Sequence, residues 1–233
     1  MPELHRDLRY PSARPGHFAP DGAPAHLPRP DQLRAWPAFT PEAPCKVLVS
    51  GCLAGLPVGV DSGTNGRHPD VLGFLAKPNV RAVPFCPENF AFGNPRPMPD
   101  VHGGDGHDVL DGRARVLTDT GEDFTDGMVR GAWAMLRLAE EVGVHLAILM
   151  DISAACGSQV TYRGDRRTAA HQIGQGVAAA LLVRHGIPVV SQRDYRTLNR
   201  IFHAVDPSHH LRDDLIDHHE IDWYRSRFEG QED

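Results

Sequence analysis

Apolar residues fall into short continuous runs, and the stretches between them carry the spacing of one-sided helices. Val47, Leu48 and Val49 form the first run, which stops at Ser50–Gly51–Cys52. Residues 80–85 read as a second strand, which stops at Cys86–Pro87–Glu88. Residues 144–150 form the strongest, running into Asp151 and on to Cys156–Gly157, and residues 187–190 form another. Runs of this kind are the pattern of strands buried on both faces of a parallel sheet. Pro69 opens a short helix over 69–76. Asp123 or Thr125 caps a helix to about residue 142, with Met128, Ala132, Met135, Leu136 and Ala139 on one face. Thr168 is placed to cap a further helix with the face Ile173, Val177, Ala180 and Leu181, which Gly186 stops. Residues 100–112 read as a Gly/Asp-rich loop, and 113–118 with the Thr120–Gly121 turn as a small β excursion. Helical pieces follow Gln192, over 195–203 and about 213–228. The order predicts an α/β fold, a mostly parallel Rossmann-like sheet with helices on both faces.

Composition adds the boundaries. Ten of the 20 prolines lie in residues 1–44, so this segment is expected as an extended or irregular arm, with Trp36 and Phe39 available to dock it. Three segments follow: a Pro-rich arm over 1–44, an α/β domain over 45–192 and a C-terminal helical tail over 193–233. The net charge of -6 argues against a broad nucleic-acid surface, leaving room only for a local Arg patch. No stretch reaches the roughly 18 apolar residues of a membrane span. Residues 1–15 lack the apolar centre of a secretory signal, so the expected compartment is the cytoplasm. Gly103–Gly104–Asp105–Gly106 lacks a helix at P-loop spacing and is not read as phosphate-binding. His102 and His107 fall in that loop and are read as solvated. His210, Asp214 and His218 fall on one face of the predicted tail helix, with His219 and Glu220 beside them, and are read as a solvated polar face.

The four cysteines carry the chemistry. Cys52, Cys86 and Cys156 each lie just past the end of a predicted strand. Strand C-termini of a parallel sheet share one edge, where ligand crevices form. Cys45 lies at the opposite end of the first strand and is excluded. Three thiolates are a soft ligand set that suits zinc or an iron–sulfur cluster. Spacing alone leaves open that they are unrelated core cysteines.

Four segments, in order, narrow the choice: Ser50–Gly51–Cys52–Leu53; Pro84–Phe85–Cys86–Pro87–Glu88 with Pro95–Arg96–Pro97; Gly121–Glu122–Asp123–Phe124–Thr125; and Ser153–Ala154–Ala155–Cys156–Gly157–Ser158. Over roughly residues 47–192 the chain resembles the thiouracil desulfidase family. The resemblance implies a 4Fe–4S cluster on Cys52, Cys86 and Cys156 with one iron open to substrate, and non-redox desulfuration of a thiolated pyrimidine or related small thio-compound. It departs from the family pattern at Ser153–Ala154–Ala155–Cys156–Gly157 (usually Ser-Pro-Ser-Cys-Gly), at Met150–Asp151 (usually Lys-Glu) and at Gly59–Val60–Asp61–Ser62 (usually Arg-Tyr-Asp-Gly).

Desulfuration needs a base for water and donors for a pyrimidine edge. Glu88 is the best-placed carboxylate for the base; alternatively it caps the following loop or pairs with Arg96. Asp151 shares the acid/base role or bonds backbone amides. Ser153 donates to substrate or cluster, or caps the turn. Arg96, between two prolines, faces an anion or the cluster, or makes a surface ion pair. Asp61 sits in a 61–65 loop able to cover the site. The expected partner is a small thiolated nucleobase, with neither membrane nor nucleic acid involved; the oligomeric state is open. The competing reading is a non-enzymatic Fe–S or zinc protein acting as sensor or sulfur carrier. All four segments precede the tail, so removing residues from about Ser208 onward is expected to spare cluster content and turnover.

Overall fold

The computed structural model describes residues 16–20, 22–64 and 68–228. The expectations for residues 1–15, for Asn65 in the 61–65 loop and for 229–233 lie outside the described residues. The arm contributes α1 (Pro30–Arg34), a single helical turn opened by its proline. Then come β1 (Cys45–Ser50), α2 (Pro69–Leu75), β2 (Val80–Phe85) and α3 (Pro87–Phe92). Next are β3 (Pro99–His102), α4 (Gly106–Leu110), β4 (Arg115–Thr118), α5 (Thr125–Val142) and β5 (Leu146–Leu149). The chain continues through β6 (Val160–Tyr162), β7 (His171–Ile173), α6 (Val177–Arg184), β8 (Val189–Ser191), α7 (Tyr195–Val205) and α8 (Asp222–Phe228).

The central sheet has the order β2-β1-β5-β8, and every pairing in it is parallel. Alternation along the strands builds two cores. Val47, Val49, Leu146 and Ile148 face one side, where α2 and α7 cover them with Val71, Phe74, Leu198 and Ile201. Leu48, Ala147 and Leu149 face the other side, against Met128, Met135 and Leu136 of α5 and Ala178 and Leu181 of α6. The expected helices on both faces are present, and burial on both sides explains the apolar character of β1 and β5, while the edge strand β2 admits Arg81. The arm supplies Leu27 and Leu33 to the first core. Phe39 meets His145 edge-on at 4.9 Å, which docks the arm near the amino ends of the strands.

Several expectations require correction. Residues 100–112 are not one loop: β3 pairs antiparallel with β4, and Asp105 caps α4 by accepting from the His107 and Asp108 amides. His107 is buried there, bonded to Gln175 and Arg184, rather than solvated. Thr168 caps no α-helix; it closes a 3₁₀ turn, and Ile173 lies in a β6–β7 hairpin. The helix itself begins at Val177, after Gly176. Residues 213–228 are not one helix either, since a 3₁₀ turn at His218–Glu220 precedes α8.

α5 carries Gly127 and Gly131 one turn apart toward α3. A Cβ on Gly131 would land on the Pro87 carbonyl, and one on Gly127 on the Phe92 ring. The two glycines let α3 approach as closely as it does. Because Pro87 is backbone at a helix start, it has no rotamer through which to yield. Gly131→Ala is therefore expected to lower stability by about 1–3 kcal/mol through overpacking. A urea midpoint measures this, and a midpoint unchanged from wild type would mean that α3 shifts freely.

Candidate active site

Three backbone stops place the cysteine side chains. β1 ends at Ser50, and the chain turns sharply, with the Leu53 amide donating to the Ser50 carbonyl at 2.8 Å and Cys52 inside the turn. β2 ends at Phe85, and Cys86 becomes the N-cap of α3, its Sγ accepting from the Asn89 amide at 3.3 Å. Pro87 holds the first helical position, a fixed φ where no amide donor is needed. After β5 the chain makes a turn in which Ser153 Oγ accepts from the Ala155 and Cys156 amides at 3.3 and 3.1 Å. Cys52, Cys86 and Cys156 all line one cavity of about 330 Å³ at the carboxyl edge of the sheet. Cys45 is fully buried at the other end of β1, outside this cavity, and burial pushes its thiol up to about 12.

The three thiols feel one another. Burial pushes the Cys86 thiol up, as do the charges of Glu88 and, more weakly, Cys52, against the Asn89 amide and Arg96. Burial pushes Cys156 well up, followed by Cys86, while a hydrogen bond with the Ser50 hydroxyl opposes it. A site of this kind holds thiols neutral until a cation stabilises the thiolates. Among the described residues, no three His, Cys, Asp or Glu side chains are grouped so as to hold a metal ion. A lone zinc ion needs its sulfurs about 2.3 Å from one point. A cluster instead offers a separate iron to each thiolate, so its ligands need not converge. Three soft donors on one cavity therefore fit a cluster better than a single ion.

Glu88 and Arg96 stand together in the cavity wall. Arg96 Nη2 and Nε donate to Glu88 Oε2 at 2.8 and 3.2 Å. The same guanidinium donates to the carbonyls of Val58 and Gly93, and the Arg96 amide to that of Val60. Arg96 is thus buried and not in a surface ion pair; it ties the loop after Cys52 to the helix after Cys86. Glu88 Oε1 takes no hydrogen bond from the described residues, which leaves it as the oxygen for a ligand. Asp61 lines the cavity, with Oδ1 accepting from the Gly63 amide at 2.8 Å. Ser153 lines it as well, and its oxygen accepts two amides while its proton remains available.

Asp151 is placed differently from the acid/base expectation. Its neighbours Met150 and Ile152 line the cavity, but Asp151 does not. Oδ1 accepts the amides of Ser158, Gln159 and Val160 at 2.9, 3.2 and 3.3 Å, and Oδ2 meets His218 Nδ1 at 2.6 Å. Burial acts to raise this carboxyl, but the His218 bond and charge with the backbone amides hold it below the usual carboxylate range. Backbone bonding is the arrangement present. His218 is likewise not on a solvated face with His210 and Asp214: it is wholly buried, while Asp214 pairs with Arg212 at 2.7 Å.

Residues missed by sequence reasoning complete the wall. Ser50 reaches Cys156 and accepts from the Met150 amide at 3.0 Å; its place beside Cys52 in the Ser-Gly-Cys segment was the available signal. Arg166 lines the far side, held by Asp100 at 2.7 Å and lying over the Tyr162 ring at 4.9 Å. No local motif announces it, because Asp100 is 66 residues away. Among the described residues no helix is long and apolar enough to cross a membrane.

The chain is similar to known proteins. A family model described as 2-thiouracil desulfurase matches residues 47–194. The uncharacterized protein YbbK of Bacillus subtilis (strain 168) is 35% identical over 156 residues, covering 64% of this chain and 96% of that protein. A solved structure described as a [4Fe-4S]-dependent thiouracil desulfidase, TudS, is 36% identical with a TM-score of 0.51. That likeness covers 63% of this chain and 89% of the solved one.

Breaking the buried pair should be costly. Arg96→Met leaves Glu88 without its cation and removes the guanidinium donors to the Val58, Gly59 and Gly93 carbonyls, so stability should fall by about 3 kcal/mol or more. In a double-mutant cycle with Glu88→Gln, the double variant should lose clearly less than the sum of the singles. Additive losses would mean that the pair contributes nothing as a pair.

Proposed function

The chain belongs to the 2-thiouracil desulfurase family, and from that premise we propose that it removes sulfur from a thiolated pyrimidine, or a related small thio-compound, with a 4Fe–4S cluster held by Cys52, Cys86 and Cys156. The observation that carries this is the meeting of the three thiols in one cavity with the Glu88 carboxylate. When bound, the cluster supplies an iron that lacks a protein thiolate, a Lewis acid suited to polarising C=S and accepting sulfide.

The reaction exchanges sulfur for oxygen: C=S and water give C=O and hydrogen sulfide, with no net redox change. Glu88 takes a proton from the attacking water on Oε1, while Arg96 fixes the carboxylate through Oε2. That proton, and the one the added hydroxyl gives up as C=O forms, both leave with the sulfur as hydrogen sulfide. Ser153 donates its free hydroxyl proton to an acceptor in the cavity, and Asp61 with Arg166 borders the pyrimidine edge. The four cysteines are free thiols, which suits the reducing cytoplasm. A small cavity suits a free base or nucleoside better than a polymer.

The cluster is tested by ligand replacement. Ser in place of Cys52, Cys86 or Cys156 puts a hard oxygen where a soft thiolate is needed, and each variant should lose most iron and acid-labile sulfide after anaerobic reconstitution. Cys45→Ala should retain both. If Cys45 proved as necessary as the others, the three-ligand arrangement would be wrong. If the loaded protein released no sulfide from any thiopyrimidine, a sensor or carrier would replace the enzyme.

The base is tested by Glu88→Gln, which keeps the shape but cannot accept the proton. Iron and sulfide content should stay at wild-type level while turnover falls about 100-fold or more. Normal turnover would remove Glu88 from the chemistry.

A further inference from the structure

Behind the cavity wall lies a buried polar cluster that no proposed step uses, and its central imidazole comes from beyond the family match, which ends at residue 194. His218 is fully buried and bonded to Asp151 at 2.6 Å. Its ring stacks on Trp223 at 5.6 Å and 14°, and meets Tyr224 edge-on at 5.5 Å. Its amide donates to Asp194, which also accepts from Gln159 Nε2 at 2.6 Å. Asp151 in turn gathers the amides of Ser158, Gln159 and Val160, the residues just after Cys156.

A second observation points the same way. Ile152 has φ of +56°, a left-handed conformation that a β-branched side chain rarely adopts. Such a residue persists only where its surroundings hold it. Ile152 packs against a small apolar cluster that joins Val160, just after Cys156, to Tyr224 and Phe228 of the tail, with Phe18, Ile173, Ile221 and Trp223 at its margin. The extension therefore reaches both ends of the turn that presents Cys156, at Asp151 before it through His218 and at the Val160 cluster after it.

We infer that the C-terminal extension is a working part of the site, with His218 a positioning residue that holds the Cys156 turn through the Asp151 carboxylate. This opposes the expectation that removing the tail spares cluster content and turnover. Its functional consequence rests on the reading of Cys156 as a cluster ligand; its structural part does not. Removing the imidazole leaves Asp151 buried with three amides and no cation or ring donor, and loosens the support of a strained turn.

The test compares His218→Ala and His218→Asn with His210→Ala, an exposed control in the same extension. Asn can place an N–H near the position of Nδ1. Amide hydrogen exchange on the metal-free full chain should accelerate about tenfold or more over residues 152–160 in His218→Ala. β1 and α5 should remain protected, His218→Asn should recover most of the effect, and His210→Ala should show none. In the cluster-loaded chain, iron loss to a chelator should accelerate in the same order, with all three cysteines present. Where His218→Ala yields no folded protein, Trp223→Leu removes the stacked ring and should give a smaller acceleration confined to the same residues. Exchange and iron loss equal to wild type would overturn the inference. So would a uniform loss of protection across β1, α5 and the turn, which would mark His218 as general support of the fold. If the wild-type chain takes up no cluster, the functional reading fails, and the exchange on the metal-free chain still decides the role of His218.

Discussion

Every strand pairing in the central sheet is parallel, and that one constraint makes the site. Parallel strands put all their carboxyl ends on one edge, so residues that follow separate strands in sequence become neighbours in space. Cys52 follows β1, Cys86 follows β2 and Cys156 follows β5, with β1 between the other two. A soft three-thiol set is assembled from three turns that share no local motif. The same constraint sends Cys45 to the far edge, where it is an inert core thiol.

Close helix packing then turns this edge into a defined cavity. The glycines of α5 let α3 seat against it, and α3 begins at the residue after Cys86. That fixes Cys86 and Glu88 together at the helix start. Arg96 completes the wall by bonding Glu88 on one side and the carbonyls of the 58–60 loop on the other. A single buried cation thus spans the segments after two of the cysteines. The charge of Glu88 and the neighbouring thiols oppose ionisation of the cysteines, which makes the site hungry for a cationic centre.

The third cysteine is supported from behind. Asp151, Asp194 and His218 form a buried cluster in which the carboxylates mostly face backbone and side-chain amides. Burial and the nearby Asp217 and Asp151 charges push Asp194 well up, while His218 with the amides holds Asp151 down. Neighbouring carboxylates whose environments push them apart can share a small volume without mutual repulsion. In this chain the arrangement joins the family core to its own C-terminal extension.

The apolar run at 47–49 and the mostly apolar segment 144–150 are legible as buried strands because burial on both faces leaves little room for polar positions, whereas the edge strand β2 over 80–85 admits Arg81. From them the sheet edge followed, and with it the possibility that Cys52, Cys86 and Cys156 meet there; that they share one cavity is shown by the structure. The β6–β7 hairpin was not legible: strands of three residues carry too little periodicity, and Ile173 was assigned to the next helix. Nor was the Asp100–Arg166 pair, or the placement of His218, which sequence spacing put on a wet helix face. The Asp151–His218 bond spans 67 residues and depends on how the extension folds back, as the seat of Arg96 against Glu88 depends on the turn between them. Local patterning reports which face of an element is buried; it does not report which distant group meets it there. The sequence therefore determined the sheet and its edge, and only the tertiary structure decided that the three thiols share one cavity, which carboxylate faces it and which one holds its wall.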